Sequence, residues 1–284
     1  MLDAALEQTI VFPRARIHAM TSSTLKIAGL ADSSHASNLF SAFTGQWIDE
    51  KETATEQNPA VRAIELVARK LFLLSKSSNE LIDDSPDYER QLSDAIVAAI
   101  SWHADNAFLN GSGAGQPLGA LNASSRVIVP KEAEQAADTL LYQNVAKMLA
   151  RLHPGCIRSA VWVASPTCIP SLLSLTVDVG TSGSHIPVLQ ESNGGYTLLT
   201  RPVFFTEKVP TLGEEGDISL IDFSQFSIGL RKQVVLQKSI HPGFTSDTAY
   251  YRGILRADGM PRWASAFTPA NGDSLSWCVT LAER

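Results

Sequence analysis

The chain has 284 residues, a formal net charge of −6 and only 18% charged residues. That length suits one large domain or two modest ones, and an acidic balance without a basic tail argues against a protein that grips nucleic acid through its phosphates. Cys156, Cys168 and Cys278 show no CxxC spacing and read as reduced core residues in a cytosolic setting; no signal peptide, membrane-length apolar run or internal repeat is visible.

In chain order, Met1–Leu6 fits a short helical turn, and Ile10–Ala19 an extended arm broken by Pro13. Residues 21–60 are rich in Ser, Thr, Ala and Gly and close on the acidic run Asp49-Glu50-Lys51-Glu52. A stretch so poor in core-forming residues does not belong inside a compact domain. Two readings stand: a disordered loop, or a two-stranded excursion that packs on another subunit. Phe40, Phe43, Trp47 and Ile48 favour the second, because a loop that stays in water has little use for them. Val61–Ser77 alternates as strands do, with Ile64, Leu66, Leu71, Phe72 and Leu73 as core candidates.

The segment Ser85–Gly119 organises the rest. Ser85 can N-cap a helix, Pro86 suits the first helical position, and Asp87 and Glu89 put negative charge at the positive end of the dipole. Tyr88, Leu92, Ala95, Ile96, Ala99 and Ile100 recur at helical spacing, Trp102 or His103 extends the stripe, and Asn110-Gly111 closes it. At about 1.5 Å per residue such a helix is close to 40 Å long, a spine on which other elements hang. Further on, Asp138–Leu152 reads as an amphipathic helix and Ala160–Ala164 as a buried strand. Ser165-Pro166 opens a helix over Cys168–Leu175, and Val179–Gly195 reads as loop. Tyr196–Phe205 and Ile218–Ile221 read as strands. Gln225–Ile240 alternates most clearly: Phe226, Ile228, Leu230, Val234, Leu236 and Ile240 share one parity, Ser227 and Arg231 the other. Tyr250–Arg256 is its expected partner. The mixed order of helices and strands is an α+β pattern.

No motif asks for catalysis. The glycines of Gly111–Gly119 suggest a phosphate loop, but Gln116 occupies the last glycine position of Gly-x-Gly-x-x-Gly and the loop follows a helix; a tight reversal is the simpler reading. His18, His35, His103, His153, His185 and His241 make no metal-ligand spacing, and His103 reads as a contact of the spine. Asp83, Asp84 and Asp87 read as N-terminal helix charges rather than a metal cluster. No catalytic, cofactor-binding or metal-binding residue is assigned.

The lead-in Asn79-Glu80-Leu81-Ile82-Asp83-Asp84-Ser85, the long helix, and Asp105–Gly119 (DNAFLNGSGAGQPLG) together resemble the signature of tailed-bacteriophage major capsid proteins, the phage capsid family with the Hong Kong 97-type fold. Trp162-Val163-Ala164-Ser165-Pro166, Ile221-Asp222-Phe223-Ser224-Gln225-Phe226 and Arg256-Ala257-Asp258-Gly259 with Ala266-Phe267 are similar to further family blocks in the same order. Asn79 replaces a family serine, and Thr200-Arg201-Pro202 replaces a Gly-x-Pro. Many relatives begin with a scaffolding segment that is not seen here, so either it was removed or a separate scaffold serves.

The resemblance implies an α+β phage major capsid fold. Residues 1–20 would be an N-terminal arm and 21–60 an extended loop. Residues 61–120 and 223–261 would form a peripheral domain with the spine helix, and 121–222 and 262–284 an axial domain. It implies a non-enzymatic shell protein without cofactors, assembled in the host bacterial cytoplasm and resident in the virion. Its partners would be other copies of itself, as pentamers and hexamers around double-stranded DNA held without sequence-specific contact, with scaffold, portal and decoration proteins as further candidates and no membrane. Phe40, Phe43, Trp47 and Ile48 are the expected inter-subunit contacts. A nanocompartment shell of the same fold, or an unrelated α+β enzyme, are the alternatives. One branch of the family joins a loop lysine to an asparagine of a neighbour. Lys26 and Lys51 lie in the loop, but residues 241–256 contain no asparagine, so non-covalent shells are expected.

Overall fold

The computed structural model describes residues 9–284 except 37, 41, 52, 86, 180–183 and 193; the expectations for Met1–Leu6 and Pro86 lie outside them. In chain order the strands are β1 (Arg16–Ala19), β2 (Thr24–Leu30), β3 (Val61–Val67), β4 (Arg69–Ser78), β5 (Val127–Val129), β6 (Val161–Ala164), β7 (Thr176–Val179) and β8 (Ser184–Pro187). They continue as β9 (Leu189–Ser192), β10 (Gly195–Leu198), β11 (Arg201–Phe205), β12 (Ile218–Ile221), β13 (Phe226–Ser239), β14 (Thr248–Pro261) and β15 (Cys278–Leu281). The α-helices are α1 (Asn79–Asp84), α2 (Tyr88–Asn110), α3 (Tyr142–Ala150) and α4 (Ile169–Ser174). The chain divides into two compact units, one of Met1–Leu25, Glu65–Gly119 and Ser227–Met260, the other of Lys26–Ile64, Ala120–Phe226 and Pro261–Arg284.

The first unit is a four-stranded sheet, β1-β13-β14-β4, under the long helix α2. β4 and β14 run antiparallel, Leu71 opposite Leu255, while β1 joins β13 in parallel, Arg16 opposite Ser227. The 23 residues of α2 bury Ile96, Ile100, Ala104, Phe108 and Leu109. The buried stripe therefore starts two turns later than expected: Ala95 and His103 are exposed, and Tyr88 and Leu92 half-buried. Helical periodicity defines the angle of a face but not how far along the axis a partner covers it. Helix and sheet approach closely at Gly253, where any Cβ would collide with Ile96 and Ile100. Phe72, expected in the core, is 46% exposed, since it points to the sheet face opposite Leu71 and Leu73.

The lead-in to α2 is a separate helix, α1. Ser85 closes it, and its carbonyl accepts from Tyr88 N. Asp83 and Asp84 thus end α1 instead of starting the spine, and Asp87 takes the N-cap position of α2 without a side-chain cap bond. Past Asn110 the chain reverses sharply. Gly113 and Gly115 have φ of 80° and 75°, conformations that cost L-residues steric strain. Gly111 and Gly119 are glycines for want of space: a Cβ would meet the Pro117 and Ala107 carbonyls at the first and Leu109 O at the second. The Gly119 N–H donates to Gly111 O at 2.8 Å, and Leu118 N to Gly259 O at 2.9 Å. The loop's geometry is spent on the turn itself.

The second unit is built on a seven-stranded mixed sheet, β5-β15-β12-β6-β11-β10-β9. Its central strands β6, β12 and β15 are buried along their whole length, which is why Ala160–Ala164 reads as continuously apolar. Trp162 and Trp277 are fully buried, and their indole N–H groups donate to Leu198 O at 3.0 Å and Ser125 Oγ at 2.9 Å. Tyr196–Phe205 is a hairpin, not one strand: Leu199 and Thr200 turn it with φ of 46° and 67°. Val179–Gly195 carries strands where loop was expected: β8 pairs with β7, and β9 with β10. A helix spans only 142–150 of the expected 138–152, and a 3-10 turn at Pro166–Cys168 precedes α4.

Candidate assembly interface

Residues 21–60 form neither a core nor featureless coil. β2 and β3 pair as a two-stranded ribbon, with Ala31 N donating to Ala60 O at 2.9 Å beyond its end. Farther out, polar side chains replace the ladder. The Gln57 carboxamide both accepts from Thr44 N at 2.7 Å and donates to Thr44 O at 2.8 Å, and Gln46 Oε1 accepts from Thr55 N at 3.1 Å. These bonds tie the two limbs of the loop without burying apolar surface.

The expected contact residues stay outside. Trp47 is completely exposed, Ile48 is 48% exposed, and Phe40 and Phe43 are each 40% exposed, their rings 6.2 Å apart edge to face. Asp49 and Glu50 beside them are exposed too. The structure keeps these four side chains on one loop; Phe40 lines a cavity at the ribbon base and stacks edge to face on Phe43, while Trp47 stands fully in solvent. Fully burying a side chain of this size contributes about 1.5–3 kcal/mol.

The base of the ribbon is docked on its own unit. Thr268 N donates to Ser33 O at 2.9 Å and His35 N to Thr268 O at 2.8 Å. The His35 ring stands edge-on to Phe267 at 4.5 Å and contacts Asp32 Oδ2 at 3.0 Å. Arg62 Nη1 donates to Arg262 O at 2.8 Å. Backbone bridges, one histidine and one arginine do this work, and none of them leaves a trace in hydrophobic periodicity.

A second anchor lies in the first unit. The Asp105 carboxylate, 1% exposed on the apolar face of α2, accepts from Ile10 N at 3.0 Å and Val11 N at 2.9 Å. Ile10 and Val11 are buried, and Arg14 reaches back through Nη1 to Ile10 O at 2.9 Å. Burial lowers the Arg14 pKa, and the nearby Asp105 charge opposes that. This role was not read from the sequence, although an aspartate among Ala104, Phe108 and Leu109 is the signal that marks it.

Among the described residues, no group of three or more His, Cys, Asp or Glu is placed to hold a metal. All three cysteines are free and buried. Burial pushes the Cys168 and Cys278 thiols up to about 12, and raises Cys156 further, so none is a thiolate nucleophile near neutral pH.

Comparison with known proteins agrees with this architecture. No curated protein matches. Among solved structures, the chain is similar to one titled "Capsid of empty GTA particle computed with C5 symmetry", at 18% identity and a TM-score of 0.72 over 99% of this chain and 92% of that one. It is also similar to the chain from Mycobacterium phage Adephagia (15%, 0.70, 99% and 92%) and to that from Microbacterium phage Oxtober96 (13%, 0.70, 99% and 93%). Identities this low speak for the fold alone. The model of the phage capsid family, however, matches residues 4–272, and so, with that fold and this loop, the chain belongs to the phage capsid family.

Proposed function

We propose that this major capsid protein assembles as pentamers and hexamers that close an icosahedral shell around double-stranded DNA. In this reading residues 1–20 are the arm, 21–60 the extended loop, 61–120 and 223–261 the peripheral domain, and 121–222 and 262–284 the axial domain. The observation that carries it is the loop tip: Phe40, Phe43, Trp47 and Ile48 are all left 40% or more exposed on a loop tied by its own polar bonds. A neighbouring subunit supplies the missing apolar partner. The net charge of −6 suits a wall that holds dense DNA without trapping it through phosphate contacts. The protein is a structural one; it takes no cofactor and catalyses nothing. It assembles in the host bacterial cytoplasm, with scaffold, portal and decoration proteins as further partners, and the shell is held without lysine–asparagine links.

Truncating Phe43 and Trp47 together to alanine tests this. Trp47, fully exposed in the chain, would contribute about 1.5–3 kcal/mol on burial and the already half-covered Phe43 less, repeated at every subunit. The double variant should stay soluble with unchanged circular dichroism yet form fragile particles or none. Unchanged assembly would remove the loop from the interface. Nuclease-protected DNA inside isolated particles supports the viral shell; protein cargo instead would favour the nanocompartment.

A further inference from the structure

Where the ribbon base meets its own unit, four rings gather. The His35 and His153 rings stand edge-on to Phe267 at 4.5 and 5.1 Å, His153 also to Trp263 at 5.3 Å, and Trp263 lies 6.0 Å from Phe267. They line a cavity of about 460 Å³ together with Asp32, Arg62 and Arg262. The backbone around the rings is stitched in series. His153 N donates to Ser276 O at 2.8 Å, Phe267 N and Leu275 N exchange bonds with each other's carbonyls, and Thr268 holds Ser33 and His35.

We infer that this cluster is a pH-responsive clasp, in which protonation of His153 loosens the hold of the ribbon base, residues 31–35, on Phe267 and Thr268. The tautomer gives the first reason. His153 Nδ1 accepts from Gly155 N at 3.1 Å, so the neutral ring carries its proton on Nε2. A second proton must go to Nδ1, where it would face the Gly155 N–H, donor against donor. Charge gives the second reason. The groups facing His153 across the cavity are Asp32 and His35 from the ribbon base, Arg62 from β3, and Arg262 from the strand-end turn. Asp32 is the one carboxylate among these described lining residues, and it is engaged with His35 at 3.0 Å. Arg151, on the same segment as His153, is turned to Asp273 at 3.3 Å.

Burial first, and His35 second, lower the His153 pKa below the ordinary imidazole value, against a smaller upward pull from Asp32. The closed clasp therefore takes up a proton less readily than the open one. Closure is complete above the ordinary histidine range, about 6.5, and weakens as the pH falls through it toward the lowered value, by up to about tenfold per pH unit for one proton. This inference concerns a single chain and stands whether or not the particle encloses DNA.

Hydrogen exchange of the purified full chain tests it, read at the His35 and Thr268 amides from pH 8 to pH 5 and corrected for the intrinsic pH dependence of exchange. Wild type should hold constant protection above pH 7 and lose up to tenfold per pH unit below about 6.5, while Trp162 and Leu220 amides in the central sheet stay protected. In His153→Asn the side chain can still accept from Gly155 N but cannot charge, and the dependence should vanish. Flat protection in wild type would overturn the proposal without recourse to any variant, and so would an undiminished loss in His153→Asn.

Discussion

Replacing Asp105 with alanine should release residues 10–15 while leaving α2 in place. The wild-type carboxylate accepts two backbone N–H groups, Ile10 at 3.0 Å and Val11 at 2.9 Å, in a site where it is 1% exposed. Hydrogen bonds to a charged group contribute about 1.5–3 kcal/mol each, so the pair holds the arm by about 3–6 kcal/mol. Alanine removes both, leaves two N–H donors unpaired in an apolar setting, and deprives Arg14 of a nearby charge. The cheapest response is for residues 10–15 to detach and rehydrate. At the lower figure of about 3 kcal/mol the population of the open arm rises about 100-fold. Trypsin reads this directly, because cleavage after Arg14 requires the open form. Asp105→Asn retains one acceptor oxygen without charge and should fall between, near tenfold. Cleavage of Asp105→Ala at the wild-type rate would show that the two bonds do not hold the arm, and the reasoning would fail.

Arg284→Met should destabilise the second unit by about 3–5 kcal/mol in urea unfolding, because it strands the fully buried Asp217 carboxylate that the guanidinium meets with both terminal nitrogens; a loss under 1 kcal/mol would contradict this. Gly119→Ala should abolish soluble expression, since its Cβ meets the backbone carbonyl of Leu109, whereas Gly115→Asn, in open space at a φ of 75° that asparagine tolerates, should be nearly neutral; equal behaviour would mean the turn is not built as described. The native protein should show no fast-reacting thiol at pH 8, because burial raises all three cysteines, and all three should react once unfolded; a rapid native thiol would refute the burial.

Periodicity carried the reading where one element buries one face. The alternation over 225–240 became β13 within a residue at each end, and Gly111 marked the end of α2. Ile240, counted on the inward parity, falls just past the strand and is 49% exposed, while Ser227 on the outward parity is buried where β1 pairs alongside. Elements held by backbone geometry were not legible. The hairpin turn at Leu199-Thr200 uses a left-handed backbone without glycine or asparagine, so turn chemistry gives no warning. β8 and β9 are short strands in a glycine-rich stretch that lacks an alternating pattern. For the site, composition exposed the loop and its apolar tip, since large side chains in a polar stretch stand out. Asp105 and the His153 cluster remained hidden because their partners are 94 or more residues away in sequence for the first and dispersed over three segments for the second.

The claim that the chain builds a shell through its extended loop is tested most directly by cryo-electron microscopy of particles assembled from the purified protein. Closed icosahedral shells are expected, with Phe43 and Trp47 of each subunit buried against a neighbouring copy. Shells in which both side chains remain in solvent, or the absence of any closed particle with scaffold protein supplied, would contradict it.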